Sequence, residues 1–216
     1  MPAFLTDGPA DSDTLLVLAP GAGAPMTSDW MNAVSDSLAA VGLRVARFDF
    51  AYMAARVETG SRKPPPKAEA LVGEYETALD QIAGKERARR ILIGGKSLGG
   101  RVASLAAASL FDRGRISGLA CLSYPFHPPK QPASLRTAHL LALACPTLIV
   151  QGERDPFGVR SEVESYGLPP SITVHWAVDG NHDLSPRKAS GATLAGNLDA
   201  AVQAITRFAK GLPHTR

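Results

Sequence analysis

Six short apolar runs rich in β-branched residues alternate with longer segments of helical period, and that alternation restricts the fold more than any other feature of the chain. The runs are TLLVLAP at residues 14–20, LRVARFDF at 43–50, RILIGG at 90–95, GLACLSYP at 118–125, PTLIVQG at 146–152 and ITVHWAV at 172–178. Strands separated by helices assemble as a largely parallel sheet with helices on its faces, an α/β architecture. Met31, Val34, Leu38 and Val41, and again Leu194, Leu198, Val202 and Ile205, recur at three- and four-residue spacing, which predicts two helices that turn those stripes to the sheet. A further helix is expected over residues 68–83, behind RKPPPK at 62–67, where three successive prolines remove donors and fix φ, so that stretch is a loop. With 216 residues, 45% of them hydrophobic, and no internal repeat, residues 1–216 are expected to form a single domain.

Charge and cysteine usage narrow the function classes. The formal charge of +3, from 23 Lys and Arg against 20 Asp and Glu, is too small to argue for a polyanionic partner, so no nucleic acid is expected. The densest basic run, at residues 85–90, sits where a helix ends and a strand begins and reads as a solvated helix terminus. Cys121 and Cys145 lie in apolar segments without metal-ligand spacing, which predicts buried free thiols and a reducing compartment. The first residues lack a basic segment followed by a long apolar core, and no run of 18 apolar residues occurs. The expectation is a soluble, cytoplasmic protein with no membrane partner.

The stretch ILIGGKSLGG at residues 91–100 carries two incompatible chemistries. Gly95-Lys96-Ser97 ends as a phosphate-cradling loop does, but such a loop needs a glycine where this chain has Arg90, and Ile91, Leu92 and Ile93 make the intervening stretch a strand. Gly95-x-Ser97-x-Gly99 also has the spacing of a serine nucleophile on a sharp strand-to-helix turn, with small flanks that let a strained turn form. The strand RILI precedes it and the alanine-rich GRVASLAAASLF follows, as that turn requires. A serine that merely caps the helix is the simpler alternative.

A serine hydroxyl needs a base and a carboxylate that orients the base. Asp155, in GERDPFG, follows the fifth run, and His182, in DGNHDLSP, follows the sixth, so both reach the sheet edge that carries Ser97. His139 falls in an expected helix, His175 in a strand and His214 in the tail, where structural or solvent roles suit them better. His127 follows a strand in YPFHPPKQP, but two prolines stiffen its loop, which makes it a pocket-wall candidate. Glu153 and Asp179 compete with Asp155 as the acid, and Asp183 is placed to shape the His182 turn. Donors for a developing oxyanion are expected from the N–H of Leu98 and from APGAGAPM, with Ala22 first and Gly23 second.

With these motifs in place the chain resembles an α/β-hydrolase, and more narrowly the hydrolase-like domain of bacterial predicted hydrolases, testis-expressed protein and a subunit of the NSL histone-acetyltransferase complex. LAPGAG, GGKSLGGRVAS, LSYPFHPP, TLIVQGERDPFG and DGNHDL carry the resemblance, in that order, over nearly the whole chain. It implies a catalytic triad of Ser97, Asp155 and His182, no metal or cofactor, and strands in the spatial order 2-1-3-4-5-6 along the chain. Some relatives act as scaffolding subunits, so a non-catalytic binding protein is the alternative to a serine hydrolase. The chain begins directly at LLVLAP, which leaves little room for the early strands of fuller relatives, and the short segment between Pro125 and Pro146 excludes a large cap domain. Loops must then grip a small ester, thioester or related acyl substrate. Met26, Tyr52, Phe126 and Phe157, each just past a strand end, are the candidates, and Lys96 either favours anionic substrates or faces solvent or the helix.

Overall fold

In the computed structural model, which describes residues 2–60 and 63–215, the expected alternation folds around one sheet. In chain order the elements are β1 (Phe4–Asp7), β2 (Thr14–Ala19), α1 (Asp29–Ala40), β3 (Arg44–Phe48), α2 (Ala51–Thr59), α3 (Val72–Ala83), β4 (Arg90–Lys96), α4 (Leu98–Asp112), β5 (Gly118–Leu122), β6 (Thr147–Gly152), α5 (Arg160–Val163), β7 (Ile172–Ala177) and α6 (Leu194–Gly211). The strands lie in the order β1-β3-β2-β4-β5-β6-β7. The six expected strands therefore stand in the expected order and are all parallel. A seventh, β1, was not expected from FLTD. It pairs antiparallel with β3, Phe4 opposite Phe48 and Asp7 opposite Val45, at the sheet edge.

Buried on both faces, the central strands are mostly apolar along their length rather than alternating with polar residues. In β2, Leu15, Val17 and Ala19 enter one core with Tyr75, Leu79 and Val102, while Leu16 and Leu18 enter the other with Met31, Val34, Leu38 and Ile205. Of the two predicted stripes, Val41 is exposed because α1 stops at Ala40, and Leu194 is exposed because it opens α6. Thr193 caps α6 by accepting the Gly196 N–H at 3.0 Å. The expected helix over 68–83 begins as a tight 3-10 turn, Ala68–Leu71, and continues as α3. RKPPPK is irregular from Lys63 to Lys67, and its Arg62 lies outside the described residues. Cys121 and Cys145 are buried free thiols, as expected, and burial pushes both thiols up, Cys145 to about 12. No helix among the described residues is long and apolar enough to cross a membrane.

One buried hydroxyl ties the helix layer to the strand that leads into the site. Tyr75 of α3 accepts the Gly94 N–H at 2.8 Å, and its oxygen lies 2.7 Å from both the Val17 and the Gly94 carbonyl oxygens. Burial raises the phenol's pKa, so it stays a neutral donor shared between two carbonyls. Tyr75→Phe leaves the Gly94 N–H without this partner in a dry interior. It is expected to cost about 1–3 kcal/mol, read as a lower urea midpoint with an unchanged slope.

Candidate active site

Ser97 alone joins β4 to α4, at φ 51° and ψ −112°, outside the regions an L-residue ordinarily occupies. Two bonds hold it there: its N–H donates to the Leu122 carbonyl at 2.9 Å, and its own carbonyl accepts the Arg101 N–H at 3.0 Å. The small flanks are a packing requirement. A Cβ at Gly95 would run into the Ala19 carbonyl oxygen and the Gly99–Gly100 backbone, and one at Gly99 into the backbone of Ala19 and Pro20. The end of β2 thus lies directly against the turn that lifts the serine out of the sheet.

Ser97 Oγ lies 2.9 Å from His182 Nε2, and His182 Nδ1 lies 2.8 Å from Asp155 Oδ2. A carboxylate can only accept, so Nδ1 carries the proton and Nε2 is left to accept from the serine hydroxyl. Asp155 is fully buried. Its Oδ1 accepts the Phe157 N–H at 2.9 Å, and its Oδ2 also accepts from Gln151 Nε2 at 3.0 Å. These bonds replace the water that a buried carboxylate has lost. Gln151, a polar residue in the otherwise apolar run TLIVQG, was not singled out from the sequence. Its Nε2 also faces the Tyr124 and Gly158 carbonyls at 3.2 and 3.3 Å, so the reverse amide orientation would set oxygen against three acceptors. The Phe157 ring lies 4.3 Å from the imidazole, centroid to centroid, and covers one side of it.

The loop that carries His182 is fastened to the serine turn. Lys96 pairs with Asp183 and lies over the Trp30 ring at 4.6 Å, while Trp30 Nε1–H donates to the Asp183 carbonyl at 3.0 Å. Lys96 is thus held to the neighbouring loop. The turn itself is shaped by Asn181, whose Oδ1 accepts the Asp183 and Ser185 N–H groups at 2.9 and 3.0 Å, rather than by Asp183. The competing acids are engaged elsewhere. Asp179 takes Arg187 and Arg154, and the bonds from Arg187 hold its carboxyl well below the usual range, at about 2. Glu153 accepts the Asp179 N–H and pairs with Arg160.

A cleft of about 740 Å³ opens over Ser97, lined by Ala22, Leu98, Phe157 and Pro125 and by the side chains of Lys67, Glu69, Arg101 and Arg136. Leu98 begins α4, so no carbonyl one turn earlier takes its N–H within the helix. The Ala22 carbonyl accepts from Arg56 Nη1 at 3.2 Å and lies 3.5 Å from the Tyr52 hydroxyl, which fixes the Ala22–Gly23 peptide beside the serine turn. Gly23 is exposed and does not line this cleft.

Four of the expected substrate contacts do not line this cleft. Phe126 is fully buried between Tyr124 and Tyr166, and His127 is buried with Nδ1 donating to the Pro128 carbonyl at 2.8 Å and Nε2 facing Glu162 at 3.2 Å. Met26 lines a separate hollow with Asp49 and Glu74, and Tyr52 lies on α2, its ring stacked on Phe50. Phe157 alone of that group lines the cleft. Two charged residues that line the cleft, Arg101 and Arg136, were not singled out from the sequence. Arg101 was readable as one helical turn beyond Ser97, whereas Arg136 comes from a loop that sequence spacing does not place. His139 lies in a turn, not the expected helix. Its Nε2 meets Ser104 Oγ at 2.8 Å and the Tyr124 hydroxyl at 3.4 Å, a second Ser–His pair. Ser104 lies within α4 and donates to the Arg101 carbonyl, and no carboxylate bonds the His139 ring among the described residues.

A family model described as an alpha/beta hydrolase domain matches residues 12–210. Among solved structures, the chain is similar to the esterase Pf2001 of Pyrococcus furiosus, at 15% identity and TM-score 0.73, covering 98% of this chain and 93% of that one. It is similar also to a dienelactone hydrolase of Anabaena variabilis, at 18% identity and TM-score 0.72, covering 99% and 92%. Est1E of Butyrivibrio proteoclasticus, solved with ferulic acid bound, matches at 16% identity and TM-score 0.68, covering 95% and 94%. At these identities the likeness is one of fold.

The close approach of β2 to the serine turn is testable by stability alone. Gly99→Ala is expected to lower the free energy of unfolding by at least about 2 kcal/mol, because the clash is with backbone that cannot step aside. Gly23→Ala, where a Cβ meets nothing within 4 Å, is expected to change it by less than about 0.5 kcal/mol. Urea titration of both variants measures the contrast.

Proposed function

The chain belongs to the alpha/beta hydrolase domain family, and on that premise we propose that it is a serine hydrolase cleaving small esters, thioesters or related acyl compounds through an acyl-enzyme. The observation that carries the reading is the unbroken path from Ser97 Oγ through both nitrogens of His182 to Asp155, with links of 2.9 and 2.8 Å. Each member arrives from a different loop at the same sheet edge, which favours a functional origin over chance.

In the proposed reaction, Ser97 Oγ attacks the substrate carbonyl carbon as His182 Nε2 takes the hydroxyl proton. Asp155 holds the ring in the tautomer that makes this possible and stabilises the imidazolium. The Leu98 and Ala22 N–H groups receive the negative charge that develops on the carbonyl oxygen. Collapse of the tetrahedral adduct breaks the bond to the leaving group, which takes the proton from His182, and the acyl group stays on Ser97. Water then attacks with His182 as base, and the acid departs. Phe157, against the imidazole and in the cleft, is the proposed substrate contact from the original set. Est1E, with ferulic acid bound, is a fold neighbour that takes a small organic acid, which supports a small-molecule substrate. The two unpaired, buried cysteines fit a cytoplasmic setting.

Turnover of short p-nitrophenyl esters and acyl thioesters tests the proposal. Ser97→Ala is expected to abolish it. Asp155→Asn is expected to lower kcat by about ten-thousand-fold, because an amide in place of the carboxylate no longer selects the working tautomer. Near-normal turnover by a folded Asp155→Asn protein would assign the orienting acid elsewhere.

A further inference from the structure

We infer that the cleft beside Ser97 contains an anion subsite in which Arg136, next to the Glu69-paired Arg101, receives a single carboxylate carried by the substrate. This rests on the hydrolase reading of Ser97 and narrows its substrate class.

Both guanidiniums line the same cleft as Ser97. Arg101 Nη2 donates to Glu69 Oε1 at 2.6 Å, which balances that charge, while its buried Nε–H has no acceptor. Arg136 has no ion pair or side-chain hydrogen bond among the described residues, although it is only partly exposed. Its backbone is fixed at both ends: the N–H donates to the Phe126 carbonyl at 2.7 Å, and the carbonyl accepts the Tyr124 hydroxyl at 2.9 Å.

The Ser104–His139 pair falls into place here, because His139 packs on Tyr124 and Ser104 and braces the loop that presents Arg136. Burial, then Arg101, lowers the His139 pKa, so the brace is neutral and leaves the positive field to the arginines. Burial and the Arg101 charge likewise lower the Arg136 pKa, the cost of holding an unpaired cation beside another. A bound carboxylate would relieve that repulsion. A guanidinium offers a planar fork that takes both oxygens of a carboxylate.

The charge balance sets the number of negative charges. The cleft holds Lys67, Arg101 and Arg136 against Glu69. Lys67 is exposed and Arg101 is matched, so Arg136 is left to bind one negative charge. The charges in the serine turn itself point the same way: Lys96, occupied by Asp183, is not available for this purpose.

The test compares esters that differ in charge and little else. For a carboxylate on the acyl part, kcat/KM for p-nitrophenyl hemiglutarate is set against the pentanoate; for one on the leaving group, para-acetoxybenzoate against para-acetoxybenzamide. One anionic ester is expected to be preferred by about tenfold to a hundredfold over its neutral counterpart, and Arg136→Gln to erase that ratio mainly through KM. Arg136→Lys, which keeps the charge and loses the fork, should restore part of it.

Binding separates this proposal from the hydrolase reading. Calorimetric titration of Ser97→Ala with the uncleaved preferred anionic ester should show at least about tenfold tighter binding than to Ser97→Ala combined with Arg136→Gln. If wild type hydrolyses neutral esters through Ser97 but shows no anionic preference and no Arg136 effect on binding, the subsite is overturned and the hydrolase stands. If no ester is cleaved and the Arg136-dependent binding persists, the subsite stands without the hydrolase.

Discussion

The contact between the end of β2 and the turn after β4 is the constraint from which the site follows. Ala19 and Pro20 lie so close to Gly95 and Gly99 that neither glycine has room for a Cβ. With the backbone fixed on that side, and the Ser97 N–H bonded to Leu122 on the other, the chain turns from strand to helix through one residue at positive φ. The strain is local and is sustained by the packed sheet around it. Tyr75 reinforces the same strand pair from below through Val17 and Gly94.

Given a serine at that point, the rest is a matter of presenting an imidazole in one tautomer. Asp155 does so only because its own burial is compensated by Gln151, the Phe157 N–H and His182. The Lys96–Asp183 pair and the Trp30 bond to the Asp183 carbonyl then hold the imidazole-bearing loop to the residue just before the serine. Arg187 and Arg154 occupy Asp179, and Arg160 occupies Glu153. The two carboxylates that compete with Asp155 for the histidine are thereby engaged elsewhere, and the arginines that hold them have partners, unlike Arg136.

What was legible in the sequence is what depends on order along the chain. Parallel strands place the residues after their carboxyl ends at one edge, so Ser97, Asp155 and His182 follow from position and residue type. β1 was missed because a four-residue edge strand, half exposed, has too little apolar pattern to stand out from a terminal segment. Phe126 and His127 were misplaced because following a strand says nothing about where a side chain points. The chain there turns inward, and Phe126 packs below Gly158 and against Tyr166. Arg136 was invisible for the converse reason: its loop reaches the cleft through Tyr124 and Phe126 hydrogen bonds that leave no periodicity in the sequence.

The central claim is that the contacts around Ser97 make it a nucleophile, and labelling by a fluorophosphonate measures that without a known substrate. Ser97 Oγ attacks phosphorus, fluoride leaves, and the hydroxyl proton passes to His182, so the rate reports the activated serine directly. The account predicts stoichiometric modification of the wild type, mapped to Ser97 by mass spectrometry, and labelling of His182→Gln slower by about three powers of ten or more. Equal rates for the two proteins, or no labelling of folded wild type by probes of several sizes, would contradict it.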